Sequence, residues 1–427
     1  MKEREVAEYI DSISGRGIVP GLDGIRELCR RLGNPQDALK FVHIAGTNGK
    51  GSVSAYIAEV LRCGGYRVGR YISPVIFEYR ERIQVNGRPI TREALGRLME
   101  QVKQACEEMT AAGLNQPTAF EAETALGFLY WREKACDIVV LETGMGGLLD
   151  ATNIVKNTVL AVITSVSMDH MRFLGDTPEK IAAQKAGILK PGVPAVSAEQ
   201  LPEVQKVIAD RAASLNCLLA VSERSGITSV KYGLERQRFS YGGFSGLEIS
   251  LAGKYQIENA ALAVEALKLL NVRGFPVTEE KLRQGLKQTA WPGRFTLVGK
   301  KPLFIVDGAH NEDGAKRLAE SAEFYFTNKR IIYIMGVLKD KEYEKMIGLT
   351  HSLADQIITV TPPDNPRALT AYELAQEIAR VHSGVTAVDS LEEAVEMARL
   401  LAGREDVIIA FGTLSFAGRL IKLAERR

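Results

Sequence analysis

A glycine-rich loop follows the apolar run "FVHIA" and carries a lysine and a serine. It reads "HIAGTNGKGS" (43–52), and its three glycines allow backbone conformations that a side chain would forbid. Lys50 adds a positive charge, and a helix beginning there would add free N–H groups. The usual phosphate loop places Ser or Thr directly after the lysine, but here Gly51 precedes Ser52. The loop predicts polyphosphate binding; the alternative is a plain strand–helix turn with a surface lysine.

Acidic and imidazole side chains follow two further apolar runs. Glu142 ends "DIVVLE", and Asp169 and His170 come soon after "VLAVITSVS". The carboxyl ends of parallel strands form the ligand-binding edge of an open α/β sheet. A carboxylate there suits Mg²⁺, and His170 could be a ligand or a general base. The alternatives are a helix cap or solvated acid for Glu142 and a structural role for the histidine.

Three groups in other stretches could act on a nucleotide. Arg294, in "PGRF", could contact a phosphate and sense closure of two domains. Asp307 and His310, in "VDGAHN", follow another apolar run, where an acid commonly bonds a ribose hydroxyl. The alternatives are a linker arginine without a role and an ordinary Asp-Gly turn. Lys185 lies in a helical stretch, and composition alone favours a solvated surface lysine.

The elements that position these groups alternate between short apolar runs and helical patterns. Val- and Ile-rich runs predict strands buried on both faces, as in a parallel sheet. The segment 222–251 alternates and predicts a small antiparallel excursion. The stretch "AWPGRFTLVGKKP" (290–302) is typical of a linker. We therefore predict a P-loop parallel-sheet ATPase domain over 1–296 and a smaller Rossmann-like α/β domain over 297–427.

Composition excludes several classes of protein. The 427 residues carry a net charge of +2, which gives no reason to expect nucleic acid or an anionic membrane as a partner. The five cysteines lack CxxC spacing, and no apolar run is long enough for a membrane span. The charged N-terminus does not resemble a signal peptide. A cytoplasmic location is expected.

The motifs together resemble the folylpolyglutamate synthase/dihydrofolate synthase family, a branch of the Mur ligase superfamily. They occur in order over nearly the whole chain. They are "HIAGTNGKGS", "ERIQVNG" (81–87), "LETGMGGLLDATN" (141–153), "SMDHMRFLGDTPEKIAAQKAGILK" (167–190), "NAALA" (259–263), "PGRF" (292–295), "DGAHN" (307–311) and "FGTLSFAGRL" (411–420). Each motif alone is weak, whereas the ordered set is specific.

The resemblance implies roles for particular residues of this chain. ATP contacts are implied for Asn48, Gly49, Lys50, Gly51, Ser52, Asn259, Arg294, Asp307 and His310. Mg²⁺ ligands are implied for Ser73, Glu142, His170 and Lys185, the lysine as a CO₂-derived carbamate that helps to hold a second ion. The pterin site is implied for Thr118, Ala119, Phe120, Glu121 and Asp150, where Phe120 could pack on the pterin ring. Catalytic roles are implied for Lys50, His170, Lys185 and Arg294.

Three positions depart from the family pattern. Val75 stands where the family has His after "SP", Leu148 stands where it often has Arg, and the early pterin motif reads "GLDGIREL" (21–28). These changes leave the implied ATP and metal residues intact and affect only how the pterin would be held. Asp150 is retained, which favours use of dihydropteroate as well as folate.

The implied reaction is ATP-dependent addition of L-glutamate to folate, and to dihydropteroate, through an acyl phosphate. Closure of two domains would exclude water from that intermediate. A monomer is expected. The alternatives are a Mur-type ligase acting on another carboxylate, a non-catalytic P-loop nucleotide-binding protein, and a kinase. A Mur-type ligase would normally need a further N-terminal domain, and only about 40 residues precede the first predicted strand, too few for one.

Overall fold

The helices alternate with strands along the chain, and several begin at a Ser or Thr cap. The computed structural model describes residues 1–15, 17 and 19–425. Thr91, Thr118, Thr177, Thr278, Thr370 and Ser390 each accept a hydrogen bond from the first turn of the helix that follows. The helices are α1 Glu3–Ser14, α2 Asp23–Arg31, α3 Lys50–Cys63, α4 Arg92–Ala111, α5 Ala119–Glu133, α6 Met171–Leu174, α7 Pro178–Ala186, α8 Pro202–Ser214, α9 Tyr255–Val272, α10 Glu279–Gln288, α11 Glu312–Tyr325, α12 Tyr343–Thr350, α13 Ala371–Ala379, α14 Leu391–Leu401 and α15 Ala417–Glu425.

The strands are short, and the central ones are buried along their whole length. Every residue of the strands at 41–45, 138–142, 331–335 and 407–411 is buried, as expected for parallel strands covered on both faces. The strands are β1 Phe41–Ala45, β2 Val68–Tyr71, β3 Ile83–Val85, β4 Arg88–Pro89, β5 Ile138–Glu142, β6 Thr158–Ile163, β7 Ala195–Ala198, β8 Leu219–Ser222, β9 Thr228–Lys231, β10 Gln237–Tyr241, β11 Phe244–Ile249, β12 Thr296–Lys300, β13 Leu303–Val306, β14 Ile331–Met335, β15 Gln356–Val360, β16 Val385–Val388 and β17 Val407–Phe411.

The first sheet has eight strands in the order β4-β3-β2-β5-β1-β6-β7-β8. The strands from β2 to β8 in this order pair in parallel, and β3 and β4 add antiparallel pairing at one edge. One face packs against α3, α9 and α10, and the other against α4 and α5. Because β1, β5 and β6 are neighbours, their carboxyl ends lie side by side.

Two further sheets complete the fold. β9, β10 and β11 form a three-stranded antiparallel sheet within the 222–251 segment. The second α/β sheet has the order β12-β13-β17-β14-β15-β16, parallel except for β12. The 290–302 stretch is therefore more than the expected linker, since β12 pairs with β13 and extends the sheet. The predicted α/β class, with a second, smaller parallel sheet, is confirmed.

Among the residues that the structure describes, no helix combines the length and the apolar character that crossing a membrane requires.

Candidate functional site

The glycine loop joins β1 to α3 and lies against the end of β6. Gly49 has φ of 88°, a left-handed conformation that favours glycine. At Gly51 a Cβ atom would lie 2.7 Å from the ring of Trp291, so a side chain does not fit. The hydroxyl of Thr164 donates to the carbonyl of Asn48 at 2.7 Å, which fixes the loop to β6. The loop thus presents the first turn of α3 to a cleft.

Lys50 and Ser52 lie on the first turn of α3, as the motif predicts. The Nζ atom of Lys50 donates to the carbonyls of Gly46 and Thr47, at 3.0 and 3.3 Å. Ser52 is buried, and its Oγ accepts from Gln256 Nε2 at 3.1 Å, while Asn259 donates to the same glutamine. Two predicted ATP residues from distant stretches, Ser52 and Asn259, therefore meet through Gln256 on α9.

The cleft beside this loop has a volume of about 320 Å³ and is lined from both α/β units. The first unit contributes the loop, Ser73, Glu142, His170 and Lys185, and the second contributes His310, Lys341 and Arg367. The cationic side chains at the cleft outnumber the carboxylates. They are Lys50, Arg294, Lys341 and Arg367, against Glu142 and Asp169. Such an excess of positive charge suits a polyanion.

Glu142 ends β5 with a carboxylate that the protein leaves partly unsatisfied. Its side chain is buried, and its Oε2 atom has no hydrogen-bond partner. Burial raises the pKa of Glu142, while the charges of Lys50 and Arg70 oppose the rise. A buried oxygen without a partner is costly unless a ligand satisfies it. Because Ser73 and His170 line the same cleft, the donor set fits a Mg²⁺ ion completed by phosphate and water. Within the described residues, no three His, Cys, Asp or Glu side chains cluster as a metal cage.

Lys185 is a buried lysine on α7. Only 3% of the residue is exposed, so it is not the solvated surface lysine that composition favours. Burial and the charge of Lys50 lower the pKa of Lys185 to about 7. A large fraction of the amine is therefore neutral, and nucleophilic, near neutral pH.

His170 lies between two cavities. It precedes α6 with φ of 51°, and it lines both the phosphate-loop cleft and a second, larger cavity. Its Nε2 is 3.9 Å from Asp169 Oδ1. Partial burial lowers the pKa of His170, so the imidazole is mostly neutral and able to bind a metal near neutral pH.

Arg294, Asp307 and Asn259 line a small adjoining pocket with the loop residues Asn48, Gly49 and Ser52. The two oxygens of Asp307 already accept hydrogen bonds from Tyr255 OH at 2.9 Å and from the backbone N–H groups of Phe295 and Ala309, both at 2.7 Å. His310 does not line this pocket. Its Nδ1 donates to Gly308 O at 2.7 Å, and its ring faces the main cleft.

The second cavity holds all five residues predicted for the pterin. Its volume is about 740 Å³, and Thr118, Ala119, Phe120, Glu121 and Asp150 line it. Thr118 and Glu121 form a capping box at the start of α5, so part of the hydrogen-bonding capacity of each side chain is already used within the fold. The Phe120 ring packs against Tyr71, with 5.9 Å between ring centroids. The cavity also reaches Pro20 and Gly21, beside the early motif.

Asp150 is held by its own loop. Its carboxylate accepts from the N–H of Met145 at 2.9 Å and from the hydroxyl of Thr152 at 2.6 Å. The Thr152 oxygen lies 2.8 Å from Nε2 of the fully buried His43. Since the single hydroxyl proton of Thr152 goes to Asp150, the imidazole donates to Thr152.

Several residues that line the site were missed in the sequence. Lys341 follows β14 and forms an ion pair with Asp169 at 2.8 Å, and Asp169 also accepts from Asn311 at 3.0 Å. Asn48 of the loop donates to Asp313 Oδ2 at 2.7 Å. Lys341 could have been found by the rule applied to Glu142, because it is a charged residue soon after a buried strand. The same rule finds Arg367, which follows β15, whereas Arg82 lies in the "ERIQVNG" motif without following a predicted strand.

A phosphate loop that faces a second α/β sheet across a cation-lined cleft defines a Mur-type ligase. Residues 44–267 match the Mur ligase middle domain, and residues 293–414 match the Mur ligase, glutamate ligase domain. The chain is 38% identical over 418 residues to the dihydrofolate synthase/folylpolyglutamate synthase of Bacillus subtilis, covering 95% of each chain. It belongs to the folylpolyglutamate synthase/dihydrofolate synthase family, and it is an ATP-dependent acid–amino-acid ligase.

Solved structures agree with this assignment. The folylpolyglutamate synthase of Mycobacterium tuberculosis complexed with ADP and AMPPCP superposes with a TM-score of 0.90 at 27% identity, covering 99% of this chain and 98% of that one. The Escherichia coli relative in complex with DHPP and ADP superposes with a TM-score of 0.87 at 29% identity, covering 99% and 97%.

Proposed function

We propose that this ligase adds L-glutamate both to reduced folate and to dihydropteroate, through an acyl phosphate. The observation that carries the proposal is that the two cavities meet. Ser73, Gly144, Met145 and His170 line both the cleft at the phosphate loop and the 740 Å³ cavity. A pterin substrate in the larger cavity can therefore extend its carboxylate to the γ-phosphate of ATP. The structure of the E. coli relative with DHPP and ADP supports this pairing of ligands.

The chemistry follows from the groups at the junction. A carboxylate oxygen attacks the γ-phosphorus and ADP leaves. The neutral amine of glutamate then attacks the acyl carbon, phosphate leaves, and the nitrogen releases one proton to give the amide. Lys50 and Arg294 balance the charge that develops on the phosphoryl group. Glu142, Ser73 and His170 would hold Mg²⁺, which supplies further charge neutralisation. Because the site holds the reactants in alignment, less translational and rotational entropy is lost on reaching the transition state than in free solution.

Lys185 would contribute as a carbamate. Its neutral amine attacks dissolved CO₂, forms an N–C bond and releases one proton, which turns a cation into an anion. The low pKa and deep burial of Lys185 support this assignment, because an uncompensated ammonium there is unfavourable. The product carboxylate would help to hold a second Mg²⁺.

The test is ADP release measured with glutamate and either dihydropteroate or tetrahydrofolate. We expect release with both acceptors, and none when glutamate or the acceptor is omitted. Release with only one acceptor would limit the enzyme to that half of the proposal. Release with neither, despite ATP binding, would favour another carboxylate substrate or a non-catalytic nucleotide-binding protein. The monomeric state, the cytoplasmic location and the domain boundary at 296/297 stay predictions.

A further inference from the structure

A buried charge pair lies in the wall of the larger cavity. Arg82 Nε is 3.3 Å from Glu123 Oε1, and their side chains are 16% and 7% exposed. The buried Arg82 Nε atom faces Glu123, and Arg82, Glu123 and Tyr79 all line the cavity wall. Buried charges are stable only when hydrogen bonds satisfy them. The part of the Arg82 side chain that stays exposed at the cavity wall is therefore the part that a ligand can contact.

Arg82 lines the larger cavity, and its backbone is bonded close to the residues that both cavities share. The backbone carbonyl of Arg82 accepts a hydrogen bond from the N–H of Ile72 at 3.1 Å. Ser73, which follows Ile72 in the chain, lines both cavities. The backbone of Arg82 is thus held one residue from Ser73, where the two cavities meet, and its side chain lines the larger one.

The group that must occupy this junction is a carboxylate. A pterin ring against Phe120 leaves the opposite, acidic end of the substrate to face the cleft. The planar fork of an arginine pairs with a carboxylate through two parallel hydrogen bonds, which a lysine cannot do. The amide product presents a neutral carbonyl at the same point, so an arginine there favours substrate over product.

We propose that Arg82 binds the carboxylate that accepts the phosphoryl group, and that Glu123 holds the guanidinium in position. The inference rests on the proposed function, because it assumes a pterin acid as substrate. Beyond the proposed function, the inference assigns to Arg82 a direct contact with the carboxylate that reacts.

The experiment measures equilibrium binding, without ATP or glutamate, of dihydropteroate and of its carboxamide. The proteins are the wild type, Arg82→Met, Arg82→Lys and the control Arg88→Met, an exposed arginine on β4. We expect Arg82→Met to weaken binding of the acid by about tenfold or more and to leave binding of the carboxamide unchanged. Arg82→Lys should lose part of the preference, and Arg88→Met none.

Kinetics provide a second readout. Arg82→Met should raise KM for the pterin acid and lower kcat, with KM for ATP unchanged. Equal weakening of acid and carboxamide would show that Arg82 only shapes the cavity, and a raised KM for ATP would assign it to the nucleotide; either result overturns the inference. If Arg82→Met does not fold, the acid-to-carboxamide ratio of Arg82→Lys decides. A wild type that neither binds nor turns over any pterin acid would instead refute the proposed function.

Discussion

Lys185 is the residue whose environment differs most from what its type suggests. It is buried beside another cation, Lys50, and its pKa falls to about 7. A lysine in that setting is stabilised by losing its proton or by conversion to a carbamate. Carbamate formation should therefore depend on pH, because only the neutral amine can capture CO₂.

A carbamate on Lys185 should be visible directly. We expect wild-type protein equilibrated with ¹³C-bicarbonate to show a carbamate ¹³C NMR signal that grows as pH rises through about 7. The sign follows from the lowered pKa of the lysine, since higher pH increases the neutral fraction. Lys185→Arg should lack the signal, and Lys185→Ala should lose glutamate-dependent ADP release by about 100-fold or more. Lys180→Arg, at an exposed position of the same helix, is the control. Full activity of Lys185→Ala would contradict the carbamate role.

Thr152 gives a second test at this scale. Its hydroxyl donates to Asp150, so Thr152→Val keeps the shape but removes the hydrogen bond to a cavity carboxylate, together with the one that Thr152 accepts from His43. We expect Thr152→Val to raise KM for dihydropteroate by about tenfold, because a hydrogen bond to a charged group is lost. Thr152→Ser keeps the hydroxyl and should behave as wild type. An equal rise in KM for ATP would point to a general disturbance of the fold.

At the scale of elements, α3 carries the phosphate loop and depends on close packing with α10. A Cβ atom added at Gly285 would lie 2.5 Å from Cα of Val60 on α3. The two helix backbones therefore approach so closely that only glycine fits at the contact. The position of the loop follows from this contact as well as from β1.

Gly285→Ala should accordingly destabilise the protein by about 1–3 kcal/mol, measured by urea unfolding. The matched control is Gly348→Ala on α12, where an added Cβ meets no atom within 4 Å. Because alanine is the better helix former, this control should be neutral or more stable by about 0.5–1 kcal/mol. Equal effects of the two substitutions would show that the α3–α10 contact is loosely packed.

The site residues that the sequence predicts well are those that follow the ends of parallel strands. Glu142 and His170 were expected at one sheet edge, since parallel strands end together, and both line the cleft. The pair of Arg82 and Glu123 could not be found in this way, because the two residues meet only after β2 and β3 pair and α5 packs over them. The burial of Lys185 likewise comes from tertiary packing, and the sequence of the nine residues of α7 does not predict it.

At the scale of the whole molecule, the two α/β units are joined across the cleft by polar contacts. Asn48 and Asp169 from the first unit bond Asp313, Asn311 and Lys341 from the second. These contacts involve the phosphate loop itself. We expect ATP binding at the loop to disturb the bond between Asn48 and Asp313, so that nucleotide binding is felt at the contact between the two units.

The global stability should depend on pH through a buried histidine. Burial, with the nearby charge of Lys190, lowers the pKa of His43 to about 3, against about 6.5 in an unfolded chain. Between these values the unfolded state binds a proton that the folded state does not, so stability is lost as pH falls below about 6.5. We expect urea unfolding of the wild type to lose up to about 1.4 kcal/mol more per pH unit than His43→Gln between pH 6 and 4. Parallel curves for the two proteins would contradict this assignment.

The contact between Trp291 and the glycine loop also gives the enzyme an optical reporter. The chain has two tryptophans, and the other, Trp131, is fully buried with its indole N–H bonded to Gln84. The Trp291 ring lies against Gly51, and the guanidinium of Arg70 lies 4.3 Å from its centroid. Nucleotide binding should therefore change the emission of one tryptophan and leave the other silent. Trp291→Phe should abolish the change, so that the occupancy of the loop can be followed in real time without any label.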